Sequence, residues 1–224
     1  MVKIHNISEQ GGSILECITD LRDTAKHGPR EQFRNIMQRV GFLLASELSK
    51  TFTYSEITVE TPLAKATGYR LTEQPVVGTI LRAGLPLYNG VMEIFPEADN
   101  AFLAAYRKHD TSGSFTIQTN YCTCPDLTGR VLVLVDPMLA TGSSLLDGLD
   151  TLLHEGGKPA EVHVIAAIAA QEGAIHVQEG LQSRGFTQAS VWCAAIDPTL
   201  NAQKYIVPGL GDAGDLAFGE KKQS

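Results

Sequence analysis

Apolar residues recur at three- and four-residue steps through residues 30–52, which predicts an amphipathic helix with one face in the core. Pro29 stands just before this segment, where proline favours the start of a helix. Residues 1–29 show no comparable pattern, and we expect them to be irregular. The apolar positions of the predicted inner face are Phe33, Ile36, Met37, Val40, Leu43, Leu44 and Leu48.

Further along the chain, short apolar runs alternate with helical patterns. The runs predict strands at residues 57–61, 76–81, 101–106, 131–135, 162–169 and 189–196. Helices are predicted from the turn at 82–84 to about residue 95, at 144–154 and at 173–183, and residues 115–121 are predicted to form one arm of an exposed hairpin. This alternation is typical of βαβ units, so we predict an α/β fold with a mainly parallel, twisted sheet flanked by helices.

Composition and charge narrow the class of protein. The 224 residues, 43% of them hydrophobic, suffice for one substantial core. The net charge of −7 argues against non-specific binding to nucleic acid or to anionic membranes. Residues 1–10 lack the apolar stretch of a secretory leader, and the longest apolar run, residues 162–170, is too short to span a bilayer. The four cysteines match neither a disulfide framework nor a zinc site, so we expect a cytoplasmic protein.

The strand predicted at 131–135 leads into a loop that suits a phosphate group. Asp136 follows the strand, and a short loop of small and hydroxylated residues then opens a helix near Ser144. In open α/β sheets, ligands bind at this end of the strands, where loop N–H groups and the helix dipole attract anions. The loop matches neither a Walker A motif nor a dinucleotide fingerprint, and the same pattern also fits an ordinary βα turn.

Two arginines follow other predicted strands. Arg82 stands before a glycine turn, where its guanidinium would grip a diphosphate through several donors at once. Arg107 follows the strand at 101–106 and would be a second phosphate clamp. A surface arginine beside a routine turn and a solvated loop are the alternatives for these two positions.

The segment 205–215 combines kinked and apolar residues with three glycines and two aspartates. We expect neither a regular helix nor a regular strand there. Glycines expose backbone N–H and C=O groups, which match the amide-like edge of a planar base. A plain glycine-rich loop is the alternative.

Three strings, DPMLATGSS (136–144), ILRAGL (80–85) and YIVPGLGDAGD (205–215), together resemble the uracil phosphoribosyltransferases of the type I phosphoribosyltransferase superfamily. The resemblance spans about residues 30–219, and Leu21-Arg22-Asp23 with Phe33-Arg34 is similar to the family's opening helices. It implies a single domain, residues 1–224, with a core at about 70–197. A small hood from about 1–65 and 198–219 and a hairpin arm would complete it.

The resemblance implies transfer of the phosphoribosyl group of 5-phosphoribosyl-1-pyrophosphate (PRPP) to uracil, giving UMP and pyrophosphate. Asp136 and Arg107 would be catalytic. Mg²⁺ would be bound mainly through PRPP and water, without direct protein ligands, since Pro137 replaces a second acid. Uracil would contact Ile206, Gly211, Asp212 and Ala213. PRPP would contact Arg82, Arg107, Asp136, Pro137, Met138, Leu139, Ala140, Thr141, Gly142, Ser143, Ser144 and Asp212.

The family resemblance further implies a homodimer or larger homo-oligomer, with the hairpin after Arg107 as a candidate contact. Three departures from the family pattern stand out. Ser143 occupies a position where the family usually has glycine, and a positive φ there would cost about 1 kcal/mol. Leu216-Ala217 changes the rim of the base site, and the family's acidic run after Arg107 is replaced by Lys108-His109-Asp110.

Three other functions fit parts of the sequence. A phosphoribosyltransferase for another base would share the loop, although Pro137 and the base segment favour uracil. A regulator on the same fold would bind nucleotide and RNA with little catalysis, but the net charge of −7 and the lack of a basic stripe count against RNA. A plain sugar-phosphate-binding protein would show no turnover.

Overall fold

A sheet of eight strands forms the centre of the structure. The computed structural model describes residues 2–109 and 115–220, and it describes the side chains of those residues outside 105–120. The strands are β1 (Lys3–Asn6), β2 (Tyr54–Glu60), β3 (Lys65–Leu71), β4 (Val76–Leu81), β5 (Asp99–His109), β6 (Phe115–Thr123), β7 (Val131–Val135), β8 (Met138–Leu139), β9 (Glu161–Ala170), β10 (Ala189–Asp197), β11 (Thr199–Leu200) and β12 (Ile206–Val207). The helices are α1 (Ser13–Arg22), α2 (Arg30–Ser49), α3 (Leu85–Ile94), α4 (Ser143–Gly156), α5 (Gln171–Ser183) and α6 (Ala213–Phe218), with 3-10 turns at Ile7–Gln10 and Thr24–Lys26.

The strand order of the main sheet is β1-β10-β9-β7-β4-β5-β6, with β8 paired to β9. All of its neighbours are parallel except β5 and β6, which pair antiparallel. The predicted mainly parallel sheet is therefore confirmed, and the predicted arm at 115–121 is the edge strand β6. Two-stranded pairs lie outside it: β2 with β3, and β11 with β12.

Helices cover both faces of the sheet because the inner strands are apolar on both sides. One core cluster joins α1, α2 and α3 to the sheet, and a second joins α4 and α5 to the other face. The predicted inner face of α2 is confirmed for Phe33, Ile36, Met37, Val40, Leu44 and Leu48, which are buried, while Leu43 packs at the edge of the cluster. Within the described chain, no helix is long and apolar enough to cross a membrane.

The structure differs from the sequence-based expectation at both ends of the hood. Residues Lys3–Asn6, expected to be irregular and part of the hood, instead add strand β1 to the main sheet beside β10. The segment is short and half-exposed, so its sequence carries little apolar alternation. The predicted strand at 57–61 is longer and pairs with β3, a strand that no pattern indicated, because ten of the fourteen residues of these two strands are exposed.

Candidate functional site

The neighbouring strands β4 and β7 create a crevice at the carboxyl edge of the sheet. Thr79 and Val135 are partners in the parallel register, and the Thr79 hydroxyl donates a buried hydrogen bond of 3.0 Å to the Val135 carbonyl. The helices that follow the two strands, α3 and α4, pack on opposite faces. The chain thus diverges between β4 and β7, and such a divergence is where open α/β sheets bind ligands.

Asp136 stands at the mouth of this crevice, directly after β7. Its N–H donates to the Ile165 carbonyl at 3.1 Å, and the Pro137 carbonyl accepts from the N–H groups of Ala167 and Ile168, both at 3.1 Å. Strand β9 therefore holds the start of the loop. Burial raises the pKa of Asp136 to about 7, against a smaller opposing effect of the Met138 N–H, which donates to the carboxyl. A carboxyl group in a cleft with a pKa near neutral pH is a candidate functional group.

The loop 138–144 begins as the two-residue strand β8 and ends in α4. Gly142 adopts the left-handed conformation, with φ 77°, and offers no side-chain cap to the helix after it, while Thr141 Oγ1 accepts the Ser143 N–H at 3.4 Å. The first N–H groups of α4 thus face the loop, as an anion site requires. Ser143 is the first helical residue, and among the described residues outside glycine only Lys204 has a positive φ. The expected backbone strain at Ser143 is therefore absent.

Helix α5 supports the loop from behind. A Cβ on Gly173 would lie 2.2 Å from the Ala140 carbonyl oxygen and 2.5 Å from that of Leu139. A Cβ on Gly142 would lie 2.6 Å from Val177 Cγ2 and 3.0 Å from the Gly173 carbonyl oxygen. Main chain packs on main chain at this point, so the start of α5 determines where the loop lies.

Arg82 follows β4 on the other side of the crevice. The Leu81–Arg82 peptide bond is cis, and the Arg82 side chain is exposed. Its Nη2 lies 3.5 Å from the Gly219 carbonyl oxygen, and its guanidinium lies 5.9 Å from the centre of the Phe218 ring. Arg82, predicted to bind diphosphate, therefore contacts residues that lie just after the predicted base segment, 205–215.

The base segment is more regular than expected. It contains strand β12, which pairs with β11, a cis Val207–Pro208 bond, and helix α6 from Ala213. The expectation of neither helix nor strand was wrong here, because Asp212 caps α6 by accepting the Asp215 N–H at 2.9 Å. Between β12 and α6, Gly209 and Gly211 have φ angles of 59° and 94°.

The predicted base contacts differ in exposure. Ile206 and Ala213 are 4% and 3% exposed, so their side chains belong to the core, while Gly211 is exposed and Asp212 is half-buried. This fits recognition through the main chain rather than through side chains. The two residues that depart from the family pattern at 216–217 also differ in exposure, because Ala217 is buried and Leu216 packs at the edge of the core.

The side chain of Arg107 lies outside the described side chains, so its predicted role stays a prediction. The described part of the chain contains no cluster of three His, Cys, Asp or Glu side chains suited to a metal ion. With Pro137 beside it, Asp136 is the carboxylate that the 136–144 loop supplies at the strand end. Such a donor set fits a cation that the substrate and water coordinate.

One residue at the carboxyl edge escaped the sequence analysis. Asp197 ends β10, is 5% exposed and accepts a hydrogen bond of 2.9 Å from the Gly209 N–H in the base segment. Its signal was present, since Asp197-Pro198 repeats the Asp136-Pro137 pair at the end of a buried strand. The position of Asp197 at the end of a strand, rather than any similarity to a phosphate-binding loop, would have identified it.

The chain is similar to known proteins in family, in sequence and in structure. Residues 9–220 match the family model described as uracil phosphoribosyltransferase. The chain is 42% identical over 204 residues to the uracil phosphoribosyltransferase of Porphyromonas gingivalis, with 91% of this chain and 92% of that protein covered. It is 36% identical over 219 residues to that of Thermococcus gammatolerans, with 96% and 93% covered. The AQ2163 protein from Aquifex aeolicus has a similar structure, with a TM-score of 0.82, 30% identity, and 96% and 98% of the two chains covered.

Proposed function

Because the chain belongs to the uracil phosphoribosyltransferase family, we infer that it transfers the 5-phosphoribosyl group of PRPP to uracil, giving UMP and pyrophosphate in pyrimidine salvage. In this pentosyl transfer the bond between C1 of ribose and the pyrophosphate oxygen breaks. A bond from C1 to N1 of uracil forms, and N1 loses its proton. The observation that carries the proposal is that three segments, 82–84, 136–144 and 205–215, lie at the carboxyl edge of the sheet. The family match covers all three, since it spans residues 9–220.

The loop 138–144 would hold the 5′-phosphate of PRPP. Its main-chain N–H groups and the start of α4, where Gly142 offers no side-chain cap, supply donors and a positive dipole end. The hydroxyls of Thr141, Ser143 and Ser144 add further donors. Thr141 Oγ1 already accepts the Ser143 N–H at 3.4 Å and lies 3.3 Å from Ser143 Oγ, so these groups form one preorganised cluster. Pro137, Met138, Leu139 and Ala140 would contribute main chain.

Asp136 would accept hydrogen bonds from the ribose hydroxyls as a carboxylate. Its negative charge would also favour the positive charge that develops on the ribose ring as the C1–O bond breaks. Mg²⁺ bound mainly by PRPP oxygens and water would supply charge neutralisation on the pyrophosphate. The carboxyl of Asp136 is the group of the chain that would orient those waters.

Arg82 and Arg107 would neutralise negative charge on the departing pyrophosphate. In the free protein the Arg82 guanidinium lies against Gly219 and Phe218. A diphosphate offers it charge-assisted hydrogen bonds, which are stronger than its contact with a neutral carbonyl. We therefore expect Arg82 to exchange the carbonyl for the ligand, which links the diphosphate site to the base segment.

Uracil would be read by main-chain groups of Ile206, Gly211, Asp212 and Ala213. N–H and C=O groups held in fixed positions match the alternating carbonyls and N–H of the uracil edge. Asp212 would also lie near PRPP through the carboxylate oxygen that does not cap α6. Catalysis is then a matter of orientation and electrostatics, without a covalent intermediate.

The working protein would be a cytoplasmic homodimer or larger homo-oligomer that binds no nucleic acid. All four cysteines are free thiols, which fits a reducing compartment. The hairpin β2–β3 projects Leu63, 96% exposed, and Tyr69, 65% exposed. Apolar side chains this exposed favour contact with a second copy.

Steady-state turnover of radiolabelled uracil with PRPP and Mg²⁺, beside cytosine, orotate and hypoxanthine, tests the proposal. We expect conversion of uracil alone to its monophosphate. Turnover of another base in place of uracil would assign a different phosphoribosyltransferase. No turnover of any base, with a gel shift on pyrimidine-operon leader RNA, would favour the regulator.

A further inference from the structure

Two arginines of the opening helices reach across the chain to the base segment, and the mechanism above gives neither of them a role. Arg22, at the end of α1, binds the Asp197 carboxylate through two parallel hydrogen bonds, Nη1 to Oδ2 at 2.9 Å and Nη2 to Oδ1 at 2.6 Å. The same Nη1 lies 3.3 Å from the Gly209 carbonyl oxygen. Planar, bidentate pairing of this kind restricts both side chains.

Asp197 completes a closed arrangement around Gly209. Its Oδ2 accepts from both Arg22 and the Gly209 N–H, so both polar main-chain groups of Gly209 bind this ion pair. Gly209 has a positive φ, and a Cβ there would lie 2.2 Å from the Ile206 carbonyl oxygen. The turn between Ile206 and Gly209 is thus folded tightly on itself, and the ion pair binds it at Gly209.

The far end of the segment is held in a related way. Arg34, on α2, donates from Nη1 to the Ala217 carbonyl at 2.8 Å, at the end of α6 where carbonyls lack partners within the helix. The base segment, 205–215, is therefore anchored on α1 at Gly209 and, two residues past its end, on α2 at Ala217. Of the residues predicted to read uracil, 211–213 lie between these two anchors, and 206 lies three residues before the first.

We propose that Arg22 and Asp197 are positioning residues for base recognition, which hold the 206–213 main chain where its N–H and C=O groups meet the uracil ring. Neither side chain needs to touch the substrate. The proposal rests on the proposed function, since it concerns how the uracil site of that reaction is built. Main-chain recognition depends on placement to within about 0.5 Å, so loss of the pair weakens uracil binding before it affects the phosphate loop.

Kinetics of four variants test the proposal: Arg22→Met, Arg22→Lys, Asp197→Asn and, as control, Arg184→Met. Arg184 makes a comparable bidentate pair with Asp150, with both distances 2.6 Å, between α5 and α4. We expect Arg22→Met and Asp197→Asn to raise KM for uracil about tenfold or more, while the Kd of PRPP measured without uracil stays within about threefold. Arg22→Lys keeps the charge without the fork and should lie between wild type and Arg22→Met.

A second measurement does not depend on turnover. Amide hydrogen exchange should become faster at residues 205–213 in Arg22→Met, with the 136–144 loop unchanged, and Arg184→Met should leave both segments as in wild type. Arg34→Met, which loses only one carbonyl contact on a half-buried side chain, gives a milder variant that should speed exchange at 213–219.

Two results would overturn the proposal: a KM for uracil within threefold of wild type in Arg22→Met, or a parallel rise in the PRPP Kd and in exchange at both segments, which is general destabilisation. If the wild-type protein converts no uracil, the proposed function fails, and faster exchange confined to 205–213 still supports the positioning role. Unchanged exchange there would overturn it.

Discussion

At the residue scale, Asp136 carries two opposed requirements. In the proposed reaction it would accept hydrogen bonds from ribose hydroxyls as a carboxylate, yet burial raises its pKa to about 7 from an ordinary value of 3.8. The folded protein therefore binds more protons than the unfolded chain between these values. Stability is lost as the pH rises through this window, and the cost of burying the charge is complete above pH 7.

Asp136→Asn removes that cost together with the charge. The difference in free energy of unfolding, variant minus wild type, should be about 1 to 3 kcal/mol larger at pH 8 than at pH 5, because the variant gains stability relative to wild type as the pH rises. In the same variant kcat should fall about a hundredfold, because an electrostatic contact to the developing charge is lost. Denaturant unfolding at the two pH values and turnover at pH 8 provide the measurements.

The pH profile of the wild-type protein gives the control. Its kcat/KM for PRPP, which reports groups of the free enzyme, should rise with an apparent pKa near 7. A flat profile from pH 6 to 8, or an equal stability difference between the two proteins at both pH values, would show that Asp136 is charged throughout.

Ser143 is a departure from the family pattern that the structure accommodates. It begins α4, and among the described non-glycine residues only Lys204 has a positive φ, so a glycine there relieves no strain. Its hydroxyl lies beside that of Thr141. We expect Ser143→Gly to leave KM for PRPP within about threefold, or roughly 0.65 kcal/mol.

A matched variant separates the two hydroxyls of this cluster. Thr141→Val removes the oxygen that accepts the Ser143 N–H, and it should raise KM for PRPP more than Ser143→Gly does. Initial-rate kinetics at saturating uracil measure both. A rise of tenfold or more in Ser143→Gly would show that the Ser143 hydroxyl binds the phosphate.

At the element scale, the start of α5 packs main chain against main chain on the loop 138–144, the proposed phosphate site. Gly173→Ala places a methyl group where the Ala140 carbonyl oxygen would be only 2.2 Å away, so the loop or the helix must move. We expect KM for PRPP to rise at least about fivefold, or roughly 1 kcal/mol. Alanine has a higher helix propensity than glycine, so the expected rise in KM would occur despite a gain in helix propensity.

Gly180→Ala is the control, because it lies in the same helix and gains the same propensity. There the three atoms nearest to the new methyl group all belong to the Leu146 side chain, with Cδ1 at 2.5 Å, and none belongs to the main chain of the loop. Equal KM values for PRPP in the two variants, measured by steady-state kinetics, would contradict a coupled loop and helix.

Strands with apolar runs were predictable, whereas exposed elements were not. Strands β4 and β7 have the predicted bounds, since their residues are buried and the pattern records burial. Strand β3 was missed because five of its seven residues are exposed, as are five of the seven residues of its partner β2, and no apolar alternation marks it. The edge strand β1 was missed for the same reason.

The candidate site divides in a similar way. The loops proposed to bind through local main chain, 136–144 and 206–213, carry a local signature of glycine, aspartate and hydroxyl residues. Asp197 and Arg22 act through a contact between positions 175 residues apart in the chain, and no local pattern reports such a contact. Gly173 escaped as well, because its role lies in the approach of two backbones.

At the scale of the whole molecule, the hairpin β2–β3 is the feature that the single chain leaves unexplained. A two-stranded hairpin is only marginally stable in water without a surface to pack on. Most of the residues of both strands are exposed, and Tyr54, Leu63 and Tyr69 are among the exposed large apolar side chains of the described chain. A second copy that covers this hairpin would account for both observations, because the buried apolar area would stabilise the strands.

We therefore expect the wild-type protein to have the mass of a dimer or larger assembly, and the double variant Leu63→Ser, Tyr69→Ser to shift toward the monomer at the same micromolar concentration. Leu15→Ser gives the matched control, since Leu15 is an exposed apolar residue, 44% exposed, on α1 and away from the hairpin. Light scattering coupled to size exclusion measures all three. If the double variant keeps the wild-type mass, or Leu15→Ser dissociates the assembly, the contact lies elsewhere; if it becomes monomeric and keeps its KM for PRPP, the hairpin serves assembly and not the phosphate site.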